Sequence, residues 1–325
     1  MNLRQYVTRL TATQARVVAG IALLGLLAPA MSAQVVGVTD ATSTFQTFNA
    51  ISGSVMTDPR WDQQTGQGAD DFVGDGVGGY YGFYFKYGQI NGVDSMLFRF
   101  RFNTLTTQQG TPSFTGNPRL GVDGDGDGDV DLYFGLATTQ AQQPEIVFQN
   151  PDANATNLSP NTSGLGTMYG QVAGTASNYN YAGVDDGSAY AANKVNTPTP
   201  DAMLTFAIPF STFKTNLESQ LTGVTITVDS FLRFVAFTST QGNAVNQDVY
   251  GIGDLATFGD IRYDQGGGFS DFYSSSGQRL PEWSTWFQLG ATLGAAGLLR
   301  MWSRRKNRVR GSALTVAAAG PVNPL

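Results

Sequence analysis

Cysteine and histidine are both missing from this chain. Without histidine there is no Ser-His-Asp or Cys-His catalytic group, no imidazole-bound zinc and no imidazole acid–base step. Without cysteine there is no thiolate nucleophile and no disulfide. Cohesion must then come from an apolar core or a bound metal. Charge is also scarce: 14% of the 325 residues are charged, 19 basic against 25 acidic. The basic residues are unevenly spread. Residues 34–279 hold 10 of them against 24 acids, a net charge of −14. Such a surface repels nucleic acid, which needs basic patches, and favours cation binding and solubility.

Long apolar runs are confined to the two ends. Arg4, Arg9 and Arg16 precede an apolar run over 17–27, and the small-residue stretch APAMSA ends at Ala33. That order is the n-region, h-region and cleavage site of a secretory signal peptide over 1–33. Near the other end, residues 283–299 contain only Ser284, Thr285, Gln288 and Thr292 as polar residues. With Met301 and Trp302 the run reaches the lower limit for a transmembrane helix, 283–302. Trp283, Trp286 and Trp302 stand where interfacial aromatics belong. Arg304, Arg305, Lys306, Arg308 and Arg310 form a basic cluster that would hold the following tail, 311–325, in the cytoplasm. The body between the segments would then face outward.

The body reads as all-β, an antiparallel β-sandwich spanning 34–263, with a flexible linker over 264–279 rich in Gly and Ser. In MLFRFRFN, Phe98, Phe100 and Phe102 alternate with Arg99 and Arg101, which predicts a strand with rings on a buried face and guanidinium groups on a wet one. Asn91-Gly92 predicts the hairpin turn before it. Further strands are predicted at 118–122, 130–136, 145–149, 167–174, 202–208, 225–228 and 232–239, and a short helix over 210–221 after Pro209. Residues 150–166, rich in Asn, Pro, Ser and Thr, predict a loop.

The sharpest motif is GVDGDGDGDVDLYFGL. Asp123, Asp125, Asp127, Asp129 and Asp131 recur at every second position, with glycine between the first four. Calcium takes six to eight oxygens, and glycines let a short loop wrap an ion. The opening matches D-x-D-x-D-G, but position twelve is Phe134, so the Glu of an EF-hand is missing and the flanks read as strands. The motif predicts a calcium-binding turn between two strands. Gly74, Gly76 and Gly79 have G-x-G-x-x-G spacing without the strand-then-helix context a nucleotide site needs, and read as a loop. Tyr80, Tyr81, Tyr84 and Trp61 could stack on sugars or pack in the core. A glycan hydrolase would need two carboxyl groups; Asp58, Asp62, Asp70, Asp71, Asp185, Asp186, Asp248, Glu145 and Glu218 are present, but no spacing singles out a pair.

Pro281, Glu282, Trp283, Ser284 and Thr285, followed by an apolar run and an arginine cluster, resemble the PEP-CTERM sorting signal of Gram-negative bacteria. The similarity covers 281–310. It departs at Trp283, where that family usually has a second proline, and in the tail after Arg310. The resemblance implies recognition by exosortase, a membrane-embedded cysteine protease family, with the helix as a temporary anchor. The mature body would be released, or attached to the cell surface or its exopolysaccharide. FAIPFSTF, FVGDG and FVAFTSTQGNAVNQD are loosely similar to family 9-like carbohydrate-binding and DOMON domains, which implies a jelly-roll-like sandwich. The expectation is a non-enzymatic, calcium-stabilised surface or matrix protein. Two alternatives stay open: an extracellular glycan-active hydrolase using paired aspartates, and a permanently membrane-anchored binding domain.

Overall fold

The alternation at Phe98, Phe100 and Phe102 does make a strand, and it sits at the centre of the protein. The structure, a computed structural model, describes residues 34–276 apart from 51, 61, 64–67, 75, 77–79, 109, 115, 138–143, 152–164, 176, 185–200, 241, 243, 245–246, 253–267 and 275. The predicted signal peptide, sorting segment, membrane helix, basic cluster and tail lie outside the described residues. Among the described residues no helix is long and apolar enough to cross a membrane.

The chain is all-β, built from antiparallel sheets. The first sheet runs β1 (Gln46–Thr47), β2 (Phe83–Ile90), β3 (Val93–Phe102), β11 (Asp201–Pro209), β10 (Tyr179–Val184). The second runs β13 (Asp248–Val249), β12 (Phe231–Thr238), β6 (Arg119–Asp123), β7 (Leu132–Ala137), β8 (Glu145–Pro151), β9 (Leu165–Ala173), with β14 (Tyr273–Ser274) also on β12. A small hairpin, β4 (Thr107–Gln108) with β5 (Thr111–Pro112), stands apart. Ile90 pairs with Val93, so the β2–β3 connection is the two-residue turn Asn91-Gly92. Both residues have positive φ, 51° and 78°, as a type I′ turn requires.

Period two divides each strand between two faces. Phe83 and Phe85 of β2, Phe98, Phe100 and Phe102 of β3, and Leu204, Phe206 and Ile208 of β11 enter one core. Leu120, Val122, Leu132, Phe134, Phe148, Leu232 and Phe234 enter it from the second sheet. The sheets meet through rings: Phe98 lies 5.3 Å from Phe134 and 5.5 Å from Phe234, centroid to centroid. Such offset and edge-on pairs add ~0.5–1.5 kcal/mol each beyond the area they bury. Helix α1 (Phe210–Glu218) leaves β11 at Pro209 and closes one end, burying Phe213 and Leu217. The fixed φ of proline suits the residue entering a helix, and Phe213 meets Phe134 edge-on at 5.4 Å.

The structure departs from sequence expectation in four places. Arg99 and Arg101 are buried, not wet: residues 36–45 lie across Arg99 on the outer face of the first sheet, and Arg101 is held by Asp201 near the Tyr80 ring. Arg99 donates to the Val38 carbonyl at 3.0 Å, to Thr42 Oγ1 at 2.9 Å and to Thr205 Oγ1 at 2.7 Å, and its guanidinium lies 4.0 Å from the Phe45 ring centre. Lys86, on the same face, donates to Asp40 at 2.6 Å. Residues 225–228 form no strand: Ile226 is buried, but its backbone bonds to Glu218 Oε1 and Lys214 Nζ instead of a ladder. β10 has no counterpart among the predicted strands. Within the predicted linker, Phe269, Ser270 and Tyr273 are core residues, and β14 pairs with Phe231 and Leu232 of β12. Tyr273 packs edge-on against Phe48, 5.0 Å away.

Candidate functional site

The five aspartates of the glycine-rich motif fall on the β6–β7 connection, between two strands as the sequence predicts. Asp123 ends β6 and is fully buried. Its Oδ1 accepts the Gly126 amide at 2.6 Å and its Oδ2 the Gly128 amide at 3.1 Å. Gly126 and Gly128 have φ of 85° and 99°, conformations that glycine reaches without strain. Asp125 Oδ1 accepts the Asp127 amide at 3.2 Å, and Asp127 Oδ1 the Asp129 amide at 2.9 Å. Asp131 Oδ2 accepts the Gly124 amide at 2.7 Å. The loop is thus a chain of carboxylates folded back onto backbone amides.

Oxygens of Asp123, Asp125 and Asp127 come within 4.8 Å of one another, Asp125 and Asp127 being exposed. Asp129 and Asp131 stand outside that trio. Burial pushes the Asp131 carboxyl up to about 7, and the charges of Asp125, Asp123 and Asp127 add to the rise while the Gly124 amide opposes it. Arg233 of β12 also grips Asp123, so one of the trio already has a counter-charge. Calcium would therefore draw mainly on the exposed pair, and hard-oxygen donors of this type suit it.

A second feature lies on the outer face of the first sheet. A cavity of about 380 Å³ is lined by Tyr80, Tyr81, Tyr84, Arg101, Thr42, Ser43, Phe45, Thr47, Val184 and Met203. Strand alternation puts Tyr84 and Arg101 on this face, opposite the phenylalanine core. Residues 42–47 form one wall. The tyrosines are fixed by their neighbours: the Tyr81 amide donates to Tyr84 Oη at 3.0 Å, and the Arg101 guanidinium lies 5.2 Å from the Tyr80 ring centre. Arg101 is held in turn by Asp201, at 2.9 Å from Nε, and Arg60 shares that carboxylate at 2.9 Å. The cavity thus presents rings, hydroxyls and a guanidinium edge, and no carboxylate among its described lining.

The aspartates weighed as hydrolase candidates are placed differently from turn residues in solvent. Asp58, Asp62, Asp70, Asp71 and Asp248 are all buried. Asp185 and Asp186, Trp61, and the sorting-signal and basic-cluster residues lie outside the described residues. Sequence spacing gave no sign of this burial, since Asp58 and Asp248 meet only through the fold. Compared with known proteins, the chain matches no family model, and neither the curated proteins nor the solved structures contain a match to it.

Proposed function

We propose that this chain is an exported, non-enzymatic, jelly-roll-like β-sandwich protein of the bacterial surface or extracellular matrix that binds polysaccharide. The observation that carries this reading is the tyrosine-lined cavity on the first sheet. Sugar rings offer apolar faces edged with hydroxyls. Tyrosine rings match the faces, while Thr42, Ser43, Thr47 and the tyrosine hydroxyls match the edges. Calcium at the 123–131 turn stiffens the β6–β7 connection. The signal peptide directs export, and exosortase handles the anchor over 280–310, with the inner membrane as an intermediate station.

The test is affinity electrophoresis and titration calorimetry of the full-length chain against exopolysaccharide from its producing bacterium. Tyr80→Ala with Tyr81→Ala is expected to weaken binding about tenfold or more, the loss of two ring contacts. Equal binding by wild type and variant would remove the cavity from this role.

A further inference from the structure

We propose a buried cation site, separate from the 123–131 turn, in which Asp58, Asp62 and Asp248 hold a hard divalent cation such as calcium. One oxygen from each carboxylate lies within 4.8 Å of the other two, and all three residues are buried. Asp58 lies two residues after the core residue Met56 and is tied to Gly74 by two backbone hydrogen bonds of 2.9 Å. Asp248 opens β13 on the far sheet. The site therefore joins the 56–74 segment to the edge of the second sheet.

The second observation is the state of the oxygens. Asp58 Oδ1 accepts the Gly251 amide at 2.7 Å, and Asp248 Oδ2 accepts the Phe72 amide at 2.6 Å. Asp58 Oδ2 and Asp248 Oδ1 are fully buried and receive no hydrogen bond. Buried oxygens of that kind are costly unless something donates to them or coordinates them. The charged neighbours weighing most on Asp58 are Asp248, Asp62 and Asp71, and those on Asp248 are Asp62 and Asp71. All are acidic, so the mutual repulsion calls for a positive charge within the cluster. Three carboxylates supply a hard oxygen set of the sort calcium takes, and the chain has no imidazole or thiolate ligand to favour a softer metal. The amides on Asp58 and Asp248 orient the ligands as outer partners do in metal sites.

Gly74, paired with Asp58, lies two residues before Gly76, whose amide bonds the carbonyl of the cavity residue Tyr80 at 3.0 Å. The site itself does not depend on what the cavity binds.

The test uses full-length chain in detergent, stripped with chelator and reloaded with calcium chloride. Asp125→Asn with Asp127→Asn removes only exposed carboxylates of the turn. This variant is expected to retain one calcium per chain by elemental analysis after gel filtration, and to melt several degrees higher with calcium than without. Adding Asp58→Asn and Asp248→Asn is expected to abolish both the bound ion and the shift, and to raise the melting temperature of the chelated protein because the repulsion is gone. A turn variant that holds no calcium and shows no shift would overturn the site, whether or not the fourfold variant folds. Calcium retained by a folded fourfold variant would do the same.

Discussion

Arg233 and Asp123 are direct cross-strand partners on β12 and β6, and Arg233 Nε donates to Asp123 Oδ2 at 2.9 Å. The guanidinium also lies 5.0 Å from the Phe269 ring centre and 4.8 Å from that of Phe272. Asp123 thus belongs to the framework, while Asp125 and Asp127 face solvent. Asp123→Ala is expected to destabilise the protein by ~3–5 kcal/mol with or without calcium, since it strands a largely buried cation and two backbone amides. Asp125→Asn with Asp127→Asn is expected to leave the chelated protein unchanged and to lower the calcium-induced rise in melting temperature. Denaturant titrations with calcium and with chelator check both; an equal calcium response in wild type and double variant would refute calcium at the turn.

Tyr250 fastens two segments at once. Its hydroxyl accepts the Gly82 amide at 2.9 Å and donates to the Met56 carbonyl at 3.0 Å. Tyr250→Phe keeps the ring and leaves both groups buried without this partner, so a loss of ~1–3 kcal/mol is expected by urea unfolding. A change below a few tenths would mean that water reaches the site.

Asp70 gives a pH dependence of known sign. Burial raises its carboxyl from 3.8 to about 6, and its Oδ1 receives no hydrogen bond. The folded state therefore binds the proton more tightly than the unfolded chain. The stabilisation is complete below the unfolded value, near 3.8, and is lost as pH rises through about 6. Asp70→Asn removes the titration. The stability of wild type relative to this variant is expected to fall between pH 4 and 7, by on the order of 2–3 kcal/mol, and then to level off. A pH-independent difference would show that Asp70 stays ionised throughout.

The terminal segments make a prediction of their own. Residues 280–325 fused to an inert secreted reporter are expected to be removed in a bacterium with an exosortase and retained in one without it. Intact mass of the natural protein would then begin near Gln34 and end near Pro281. A mass that includes Leu325 would identify the helix as a lasting anchor.

Much of the architecture is legible where the signal is local. Phe98, Phe100 and Phe102 fix a strand and its core face, Asn91-Gly92 fixes a turn, and Pro209 followed by spaced apolar residues fixes α1. What is not legible depends on distant residues. Arg99 and Arg101 look solvent-facing because their partners are distant in sequence, Val38 being 61 residues before Arg99 and Asp201 100 residues after Arg101. Asp58 and Asp248 look like ordinary turn aspartates because nothing in their neighbours announces that they meet. Phe269 and Tyr273 sit in a glycine- and serine-rich stretch whose composition suits a tether, yet two aromatic side chains suffice to draw it into the core. The tyrosine cavity is half legible: the residue types are evident, but their convergence with Thr42 and Ser43 is not.

The packing of Tyr273 against Phe48 also sets an order of events in time. Asn49, the next residue after Phe48, adds a hydrogen bond from its amide to Tyr273 Oη at 2.9 Å. A chain that emerges from its first residue onward presents Phe48 early and Tyr273 late. Until about residue 274 is available, the ring of Phe48 keeps its contacts with Phe83, Phe85 and Phe234 but lacks that with Tyr273, and β12 lacks its pairing with β14. Completion of the domain is thus a late event in the emergence of the chain. Under the export proposed above it would follow translocation, and the period before it is when holding factors outside the membrane would have most influence on the yield of folded protein.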